Sequence, residues 1–181
     1  MASKPRNDDY KGVRVNVHST DLFDTIITRL YSEIGRPEQA LAGLRELMTV
    51  RDRESFIERV KKATGTTSDE DVMDAFMIFQ EFDHGAWLPL FGVGGGRKCK
   101  RILLGNPLIA LTMLRHDIKA GLSVPVELLV VEGTKEEGGG VDLVYHLPSA
   151  LILAGGDNPE LEAAAQKLDE KLQKLVLRIA S

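Results

Sequence analysis

Asp83 and His84 are adjacent residues whose side chains could together move a proton. A histidine titrates near neutral pH, and a nearby carboxylate can fix its tautomer and raise its basicity. The pair follows the apolar segment 76–82, which predicts a position at the rim of a sheet, and Trp87 comes three residues later. The pair is therefore a candidate for general acid–base catalysis. The alternative interpretation is a structural histidine that satisfies backbone carbonyl groups at a strand end.

Further candidates for the same site come from three other segments. His116 and Asp117 follow a predicted helix that ends at Arg115, although the partial negative charge of a helix C-terminus is itself sufficient to explain cationic residues there. Asn106 follows a predicted strand, and Tyr145 lies within another, either as a core aromatic or with its hydroxyl facing a cavity. The catalytic candidates are thus His84, Asp83, Tyr145 and His116, and the substrate-binding candidates are Asn106, Trp87, Arg115 and Asp117.

The glycine-rich segment 92–98 does not match a nucleotide-binding loop. A phosphate loop needs glycine followed by lysine and then serine or threonine, and a dinucleotide-binding loop leads from a strand into a helix. Here a predicted strand follows, so a mobile loop or hairpin is favoured. No two of the four histidines have the spacing of three or four residues that aligns metal ligands on a helix. We therefore expect neither a metal nor a cofactor, and metal binding by residues distant in sequence is the weaker alternative.

The composition indicates one globular domain in the cytoplasm. The 181 residues are 43% hydrophobic and 28% charged, which is ordinary for a folded domain. Because 23 Lys and Arg residues stand against 27 Asp and Glu residues, no excess of positive charge is available for nucleic acid. The polar first ten residues and the short apolar runs predict neither a signal peptide nor a membrane span. The single cysteine, Cys99, fits a reducing compartment; its cationic neighbours could lower the pKa of its thiol, but an ordinary strand residue is favoured.

The first half of the chain is predicted to contain one strand followed by helices. After a disordered tail at 1–11, alternating apolar residues from 13 to 17 predict a strand with one buried face. Ser19 and Thr20 offer N-cap oxygens for an amphipathic helix that continues to Ile34. Short charged helices are predicted at 38–48, 53–63 and 69–75, where they form a helical insertion, residues 37–75, within a single domain of residues 12–181.

The second half of the chain is predicted to complete the sheet and to cover it. Strands are predicted at 76–82, 100–104, 125–131 and 141–147, with a helix at 108–115 after the second of them. The last helix begins after Asn158-Pro159 and repeats apolar residues at spacings of four and three. Such a stripe could pair two chains as a coiled coil, but covering the sheet is favoured. The order of elements predicts an α+β domain with a mainly antiparallel sheet and helices on one face.

Four motifs, in this order, resemble the pattern of the domain-of-unknown-function 302 family. They are Phe82-Asp83-His84, the segment Arg101 to Pro107 ending in Gly-Asn-Pro, the segment Gly121 to Glu132 with Gly-Leu-x-x-Pro before a hydrophobic strand, and Tyr145 followed by Pro148. The resemblance implies a β-α-β4-α fold similar to the TATA-binding-protein and helix-grip arrangements. In such a fold a curved antiparallel sheet embraces a long helix, often in a homodimer. The resemblance implies no established reaction.

The chain departs from the family pattern in two places. The helices predicted within 37–75 have no counterpart in the compact pattern. In addition, Leu108-Ile109-Ala110 replaces the Lys-x-Gly-Thr-Pro-like continuation that is usual after Gly-Asn-Pro. An apolar replacement beside a rim motif predicts a more hydrophobic pocket or a buried interface.

These observations together predict a protein that binds a small apolar molecule. As an enzyme it would be a cofactor-independent lyase, isomerase or cyclase, with Asp83 and His84 exchanging protons in an apolar pocket and the inserted helices excluding water as a lid. Non-catalytic ligand binding would use the same pocket. A dimeric interaction module would instead present the insertion and the C-terminal stripe to a partner, which makes a homodimer possible.

Overall fold

The sheet is antiparallel throughout. The computed structural model describes Pro5, Asn7 and residues 9–181, and the other residues of the predicted tail at 1–11 lie outside the described residues. The strands are β1 (Arg14–Ser19), β2 (Met77–Asp83), β3 (Cys99–Gly105), β4 (Val126–Glu132) and β5 (Val141–His146). They are arranged in the order β1-β5-β4-β3-β2. Every neighbouring pair is antiparallel, so the predicted fold class is confirmed.

Seven α-helices accompany this sheet within residues 9–181. They are α1 (Phe23–Ile34), α2 (Pro37–Thr49), α3 (Arg53–Thr64), α4 (His84–Trp87), α5 (Pro107–Leu114), α6 (Pro148–Leu153) and α7 (Pro159–Ala180). Short 3₁₀ turns lie at Asp71–Met73, Leu88–Phe91, Gly94–Gly96 and Ile118–Leu122. The predicted strands of the second half and α5 are confirmed to within one residue at each end, whereas α4 and α6 were not predicted. None of these helices combines the length and apolar character that crossing a membrane requires.

One face of the sheet forms the main core. Ile102, Leu104, Leu128 and Leu143 alternate along their strands with more exposed residues, and each is completely buried. The register aligns these positions across the strands, because Ile102 is opposite Leu128 and Leu104 is opposite Val126. Side chains two residues apart on a strand point to the same face, so the period-two pattern of the sequence determines which face is buried.

Helix α7 covers the core face of the sheet. Its apolar stripe consists of Leu161, Ala165, Leu168, Leu172, Leu175 and Ile179, and all six residues are buried in the main core. Asn158 caps the helix, since its Oδ1 accepts a hydrogen bond from the amide of Leu161 at 3.0 Å. The prediction that this helix covers the sheet is therefore confirmed. The possible homodimer stays a prediction.

Residues 37–75 build a small second core beside β2. Leu47 of α2, Val60 of α3, Val72 and Met77 are buried together. The helix predicted at 69–75 is wrong, because the chain forms only the 3₁₀ turn Asp71–Met73. The carbonyl oxygens of Val72 and Ala75 accept hydrogen bonds from a side chain outside the segment instead of from amides of a continuing helix.

The capping prediction for α1 is also wrong. Helix α1 begins after Leu22 without a side-chain cap, because Ser19 Oγ donates to the carbonyl of Ala180 at 2.6 Å and so ties β1 to the end of α7. The connection between β2 and β3, predicted as a mobile loop or hairpin, joins two antiparallel neighbours and contains α4 and two 3₁₀ turns before β3 begins. Gly92 ends the first of these turns in the left-handed conformation, with φ of 69°, which glycine adopts without steric cost.

Candidate functional site

The predicted site residues lie in different parts of the fold. Asp83 lines a cavity near the end of β2, Asn106 lines a second cavity at the end of β3, and Arg115 and His116 line a third between α5 and α7. Tyr145 lies in the main core on β5. The catalytic candidates are thus not brought together in any of these three cavities.

Asp83 and His84 do not form the expected carboxylate–imidazole pair. Asp83 Oδ1 accepts a hydrogen bond from the amide of Ala86 at 3.0 Å and caps the short helix α4. The ring of His84 packs edge-on against Trp87, with 5.9 Å between the ring centroids. His84 Nδ1 is buried and has no hydrogen-bond partner within the described chain. The carboxylate is therefore engaged with the backbone, and the histidine lies against an aromatic ring.

Asn106 joins α5 to the segment 37–75. Its Nδ2 donates to the carbonyl of Val72 at 2.6 Å and to that of Ala75 at 3.0 Å, and its Oδ1 accepts from the amide of Leu108 at 2.8 Å. The residue is only 4% exposed. Because both ends of its amide are engaged in these bonds, Asn106 serves the backbone and has little capacity left for a ligand.

Asp117 and Tyr145 also have structural environments. Asp117 Oδ1 accepts from the amide of Lys119 at 2.8 Å and caps the 3₁₀ turn Ile118–Leu122. Tyr145 is buried, and its hydroxyl has no hydrogen-bond partner among the residues that the structure describes. Burial, followed by the negative charge of Asp169, raises the pKa of this phenol above its usual value. A phenol in that state stays protonated at neutral pH and is a poor base.

Cys99 is not an activated thiol. Burial raises its pKa, and the charge of Asp83 acts in the same direction, whereas Arg97 acts in the opposite direction. The positive neighbours therefore do not lower the pKa of this thiol, in keeping with the favoured interpretation of an ordinary strand residue. Because the thiolate is the reactive form, a raised pKa makes Cys99 less nucleophilic at neutral pH.

A polar cluster between α1 and the sheet was not predicted. Tyr31 donates a hydrogen bond to Glu81, and Lys100 Nζ donates to Glu81 Oε1 at 2.5 Å and to the hydroxyl of Tyr31 at 3.2 Å. Burial and then the bond to Glu81 raise the pKa of Tyr31 to about 12. The signal was present in the sequence, since Lys100 alternates with the core residue Ile102 on β3 and thus occupies a core-facing position.

The cavity beside this cluster is strongly charged. It has a volume of about 340 Å³, and its lining includes Lys100, Asp83, Lys98 and Asp24. Lys98 Nζ lies 2.6 Å from Asp24 Oδ2, and Lys100 pairs with Glu81 as described above. Most of the charge at this cavity is thus neutralised by ion pairs within the protein.

A cavity of about 320 Å³ at the end of the sheet has the opposite character, and we call it the apolar cavity. Ile109 and Ala110 of α5, Pro125 before β4 and Leu168 of α7 are among the residues that line it. Within the described chain its only polar lining side chain is that of Asn106, whose amide is already hydrogen-bonded. Two of the lining residues, Ile109 and Ala110, belong to the segment after Pro107 where the sequence is predicted to depart from the family pattern that it resembles.

Gly105 allows Phe79 and Pro125 to pack closely in the wall of the apolar cavity. A Cβ atom at this position would lie 3.2 Å from Cβ of Pro125 and 3.4 Å from Cε2 of Phe79. Both of these neighbours line the same cavity. A larger residue would push one of them into the open space, so glycine at the end of β3 helps to preserve the cavity volume.

A third cavity, of about 480 Å³, lies between α5 and α7, and we call it the basic cavity. Ile109 and Leu168 line both this cavity and the apolar cavity, so the two are neighbours. Its apolar lining residues include Met73 and Ala164. Its charged lining residues are Arg115, Lys167, Lys171 and Glu160, with His116 beside them.

A cavity between β2 and the helices α2 and α3 has several charged lining residues. It has a volume of about 370 Å³ and is lined by residues of α2 and α3, among them Glu46, Arg59 and Lys62. Glu46 Oε2 lies 2.5 Å from Arg59 Nη1 and 3.5 Å from Lys62 Nζ. Among the described residues, no group of three or more His, Cys, Asp and Glu side chains is placed so that it could hold a metal ion.

Comparison with known proteins agrees with the sequence motifs and the fold. Residues 49–179 match the model of a family described as "Domain of unknown function DUF302". A solved structure, "Crystal structure of uncharacterized conserved protein DUF302 from Bacillus stearothermophilus", is 15% identical and has a TM-score of 0.59. That match covers 92% of this chain and 97% of the other, and at this identity it establishes the fold alone. No curated protein matches the chain. The family match begins within residues 37–75, whose status as an insertion stays a prediction.

Proposed function

Because the chain belongs to the DUF302 family, whose name assigns no activity, we propose a function from the cavities: the protein binds a small apolar molecule in the apolar cavity. Binding occurs without catalysis. The observation that supports this proposal is the lining of the cavity, in which the side chains are apolar except for that of Asn106. A ligand there would replace water against hydrocarbon surface, which is the main source of affinity at such sites.

The affinity of such a site is expected to be modest. The volume of about 320 Å³ is at the lower end of the range for small-molecule sites. A ligand that buries about 200 Å² of apolar surface gains about 5 kcal/mol at 25 cal/mol per Å². This free energy corresponds to a Kd of roughly 0.1–1 mM before any polar contact is added. Tighter binding would require a directional group, and Asn106 does not offer one.

Acid–base catalysis by Asp83 and His84 has less support. Asp83 lines the charged cavity beside Lys100, whereas the apolar cavity lies at the opposite end of β3. A substrate in the apolar cavity would thus be remote from the pair, and a general base must be within hydrogen-bonding reach of the proton that it removes. A lyase or isomerase reaction would therefore need a different substrate site.

The proposal is tested by filling the cavity. Ala110→Phe places a ring in the apolar cavity, and Ala42→Phe is the matched control on α2, where residue 42 lines the cavity between β2 and the helices α2 and α3. Octan-1-ol is titrated into each protein by calorimetry and by two-dimensional NMR of the methyl groups. We expect octan-1-ol to change the methyl chemical shifts of Met113 and Ile109 in the wild type. Ala110→Phe should abolish these changes, and Ala42→Phe should retain them. Unchanged octanol binding by folded Ala110→Phe would disprove the proposal.

A further inference from the structure

The basic cavity, which adjoins the apolar cavity, is lined by charged side chains that the apolar cavity lacks. Ile109 and Leu168 form a common boundary, each being at most 4% exposed, with the apolar cavity on one side and the basic cavity on the other. The lining of the basic cavity has three permanent cations, Arg115, Lys167 and Lys171, against one carboxylate, Glu160. This local excess of positive charge occurs in a chain whose net charge is −4.

Two of these cations remain available to a ligand. Lys171 is already paired with Asp74. Arg115 uses its Nε to donate to the carbonyl of Leu111 at 3.2 Å, which leaves the terminal nitrogens of its guanidinium. Lys167 has no ion-pair partner among residues 9–181. Both side chains are on the rim, where an anion could approach them from solvent.

We propose that the ligand of the protein is an amphiphilic anion, an alkyl chain with a carboxylate or phosphate head. The chain occupies the apolar cavity and crosses the boundary at Ile109 and Leu168 into the basic cavity. Because both of these side chains are nearly buried, they move apart when the ligand binds. The head lies at the rim beside Arg115 and Lys167. This inference rests on the proposed function, because it identifies the chemical class of the molecule bound in the same apolar cavity.

The expected preference for an anion follows from the exposure of the cations. Exposed ion pairs are weak, so two such cations together give roughly a five- to tenfold preference for an anionic head over a hydroxyl group. Removing one of them should weaken anion binding by about two- to fivefold. Added salt should also weaken binding of the anion, because exposed charges are screened, while binding of the uncharged alcohol should not weaken.

The experiment compares octanoate, octyl phosphate and octan-1-ol, which have the same chain length, by calorimetry. Each anion is used below its micelle concentration, and the alcohol is used below its solubility limit. The variants are Lys167→Gln at the rim, Lys174→Gln as the matched control on the same helix, and Ala110→Phe in the apolar cavity. We expect one or both anions to bind more tightly than octanol to the wild type. Lys167→Gln should weaken the anions alone, Lys174→Gln should leave all three unchanged, and Ala110→Phe should abolish binding of all three. The better of the two anions identifies the head group.

Two results would overturn the inference in different ways. If octanol binds as tightly as both anions, or if Lys174→Gln weakens the anions as much as Lys167→Gln, the basic cavity has no role and the apolar cavity alone binds the ligand. If Ala110→Phe leaves binding of all three compounds unchanged, the proposed function fails, and the inference fails with it.

Discussion

Replacing Asn106 with alanine should remove the connection between α5 and the segment 37–75. The side chain makes three hydrogen bonds at 2.6–3.0 Å, of which one caps α5 and two satisfy the carbonyls of Val72 and Ala75. Loss of an asparagine N-cap costs about 1 kcal/mol. Each of the two carbonyls left unpaired costs about 1–2 kcal/mol, in the lower part of the usual range, because the bond to Ala75 is only partly buried. We therefore expect Asn106→Ala to lower the free energy of unfolding by about 3–5 kcal/mol in a protein whose total is expected to be about 5–15 kcal/mol.

Asn158→Ala is the matched control for the capping contribution. Asn158 also caps a helix, but its side chain makes a single hydrogen bond, from the amide of Leu161 at 3.0 Å. Its replacement should cost only about 1 kcal/mol. Urea unfolding followed by circular dichroism gives both free energies, provided that the slope with denaturant is the same for the variants. The difference between the two variants, about 2–4 kcal/mol, is the contribution of the two bonds from Nδ2.

Asn106→Asp tests the direction of those bonds. The carboxylate can still cap α5, but it replaces the donor by an acceptor opposite the carbonyls of Val72 and Ala75. Repulsion between these oxygens should raise the pKa of the new carboxyl group, because protonation restores a donor. A group whose pKa is higher in the folded state stabilises below its unfolded pKa, so this variant should lose stability as pH rises from 4 to 7 relative to the wild type. If Asn106→Ala costs no more than Asn158→Ala, the proposed connection is wrong.

Two other features give predictions with matched controls. Glu81→Gln should lower the pKa of Tyr31 from about 12, because the carboxylate raises that pKa, whereas Lys100→Met should not lower it, because Lys100 acts in the opposite direction. Ultraviolet titration with Tyr31→Phe as the reference measures both shifts, and a fall in both variants would contradict the arrangement. Gly85→Ala should destabilise by about 1–3 kcal/mol, because its Cβ would lie 2.8 Å from the amide nitrogen of Cys99. Gly43→Ala, on α2 with no atom within 4 Å of the added Cβ, should stabilise by about 0.5–1 kcal/mol, and thermal unfolding that ranks the two variants in the reverse order would refute this reasoning.

The sheet and its covering helix could be predicted because they depend on patterns that one sequence contains. Alternation places Ile102 and Leu128 on the buried face, and the stripe from Leu161 to Ile179 has the period of a helix with one apolar side. Apolar burial is the dominant favourable contribution to folding, so a pattern that maximises it is rarely overridden. The strands of the second half were accordingly located to within one residue.

The errors arose where a distant residue supplies a hydrogen bond. The helix predicted at 69–75 depended on local capping signals, and Ser68 Oγ does accept from the amide of Asp71 at 2.9 Å. The continuation of that helix is prevented by Asn106, which is more than thirty residues away and binds two of its carbonyls. Ser19 is similarly predicted to cap α1, but its hydroxyl donates to the carbonyl of Ala180 in the last turn of α7. Local sequence contains no information about such partners.

The candidate site could be predicted only in its apolar part. The replacement at Leu108-Ile109-Ala110 predicted a more hydrophobic pocket or a buried interface, and Ile109 and Ala110 line the apolar cavity. Chemical type is what points to the polar candidates, and it does not reveal whether a side chain is already hydrogen-bonded to the protein backbone. Asp83 and Asp117 turned out to cap short helical turns, and Asn106 satisfies two carbonyls.

Three residues of the motifs that carry the family resemblance have structural roles that involve the backbone. Asp83 caps α4, and Gly105 allows Phe79 and Pro125 to approach the end of β3 closely. Asn106 connects α5 to the segment 37–75. Residues with such roles maintain a fold whatever molecule it binds. The ligand should instead be selected by side chains that vary without disturbing these bonds, such as Ala110 in the apolar cavity and Lys167 at the rim of the basic cavity. Proteins that share the motifs but differ at these two positions are therefore expected to share the fold and to bind different ligands.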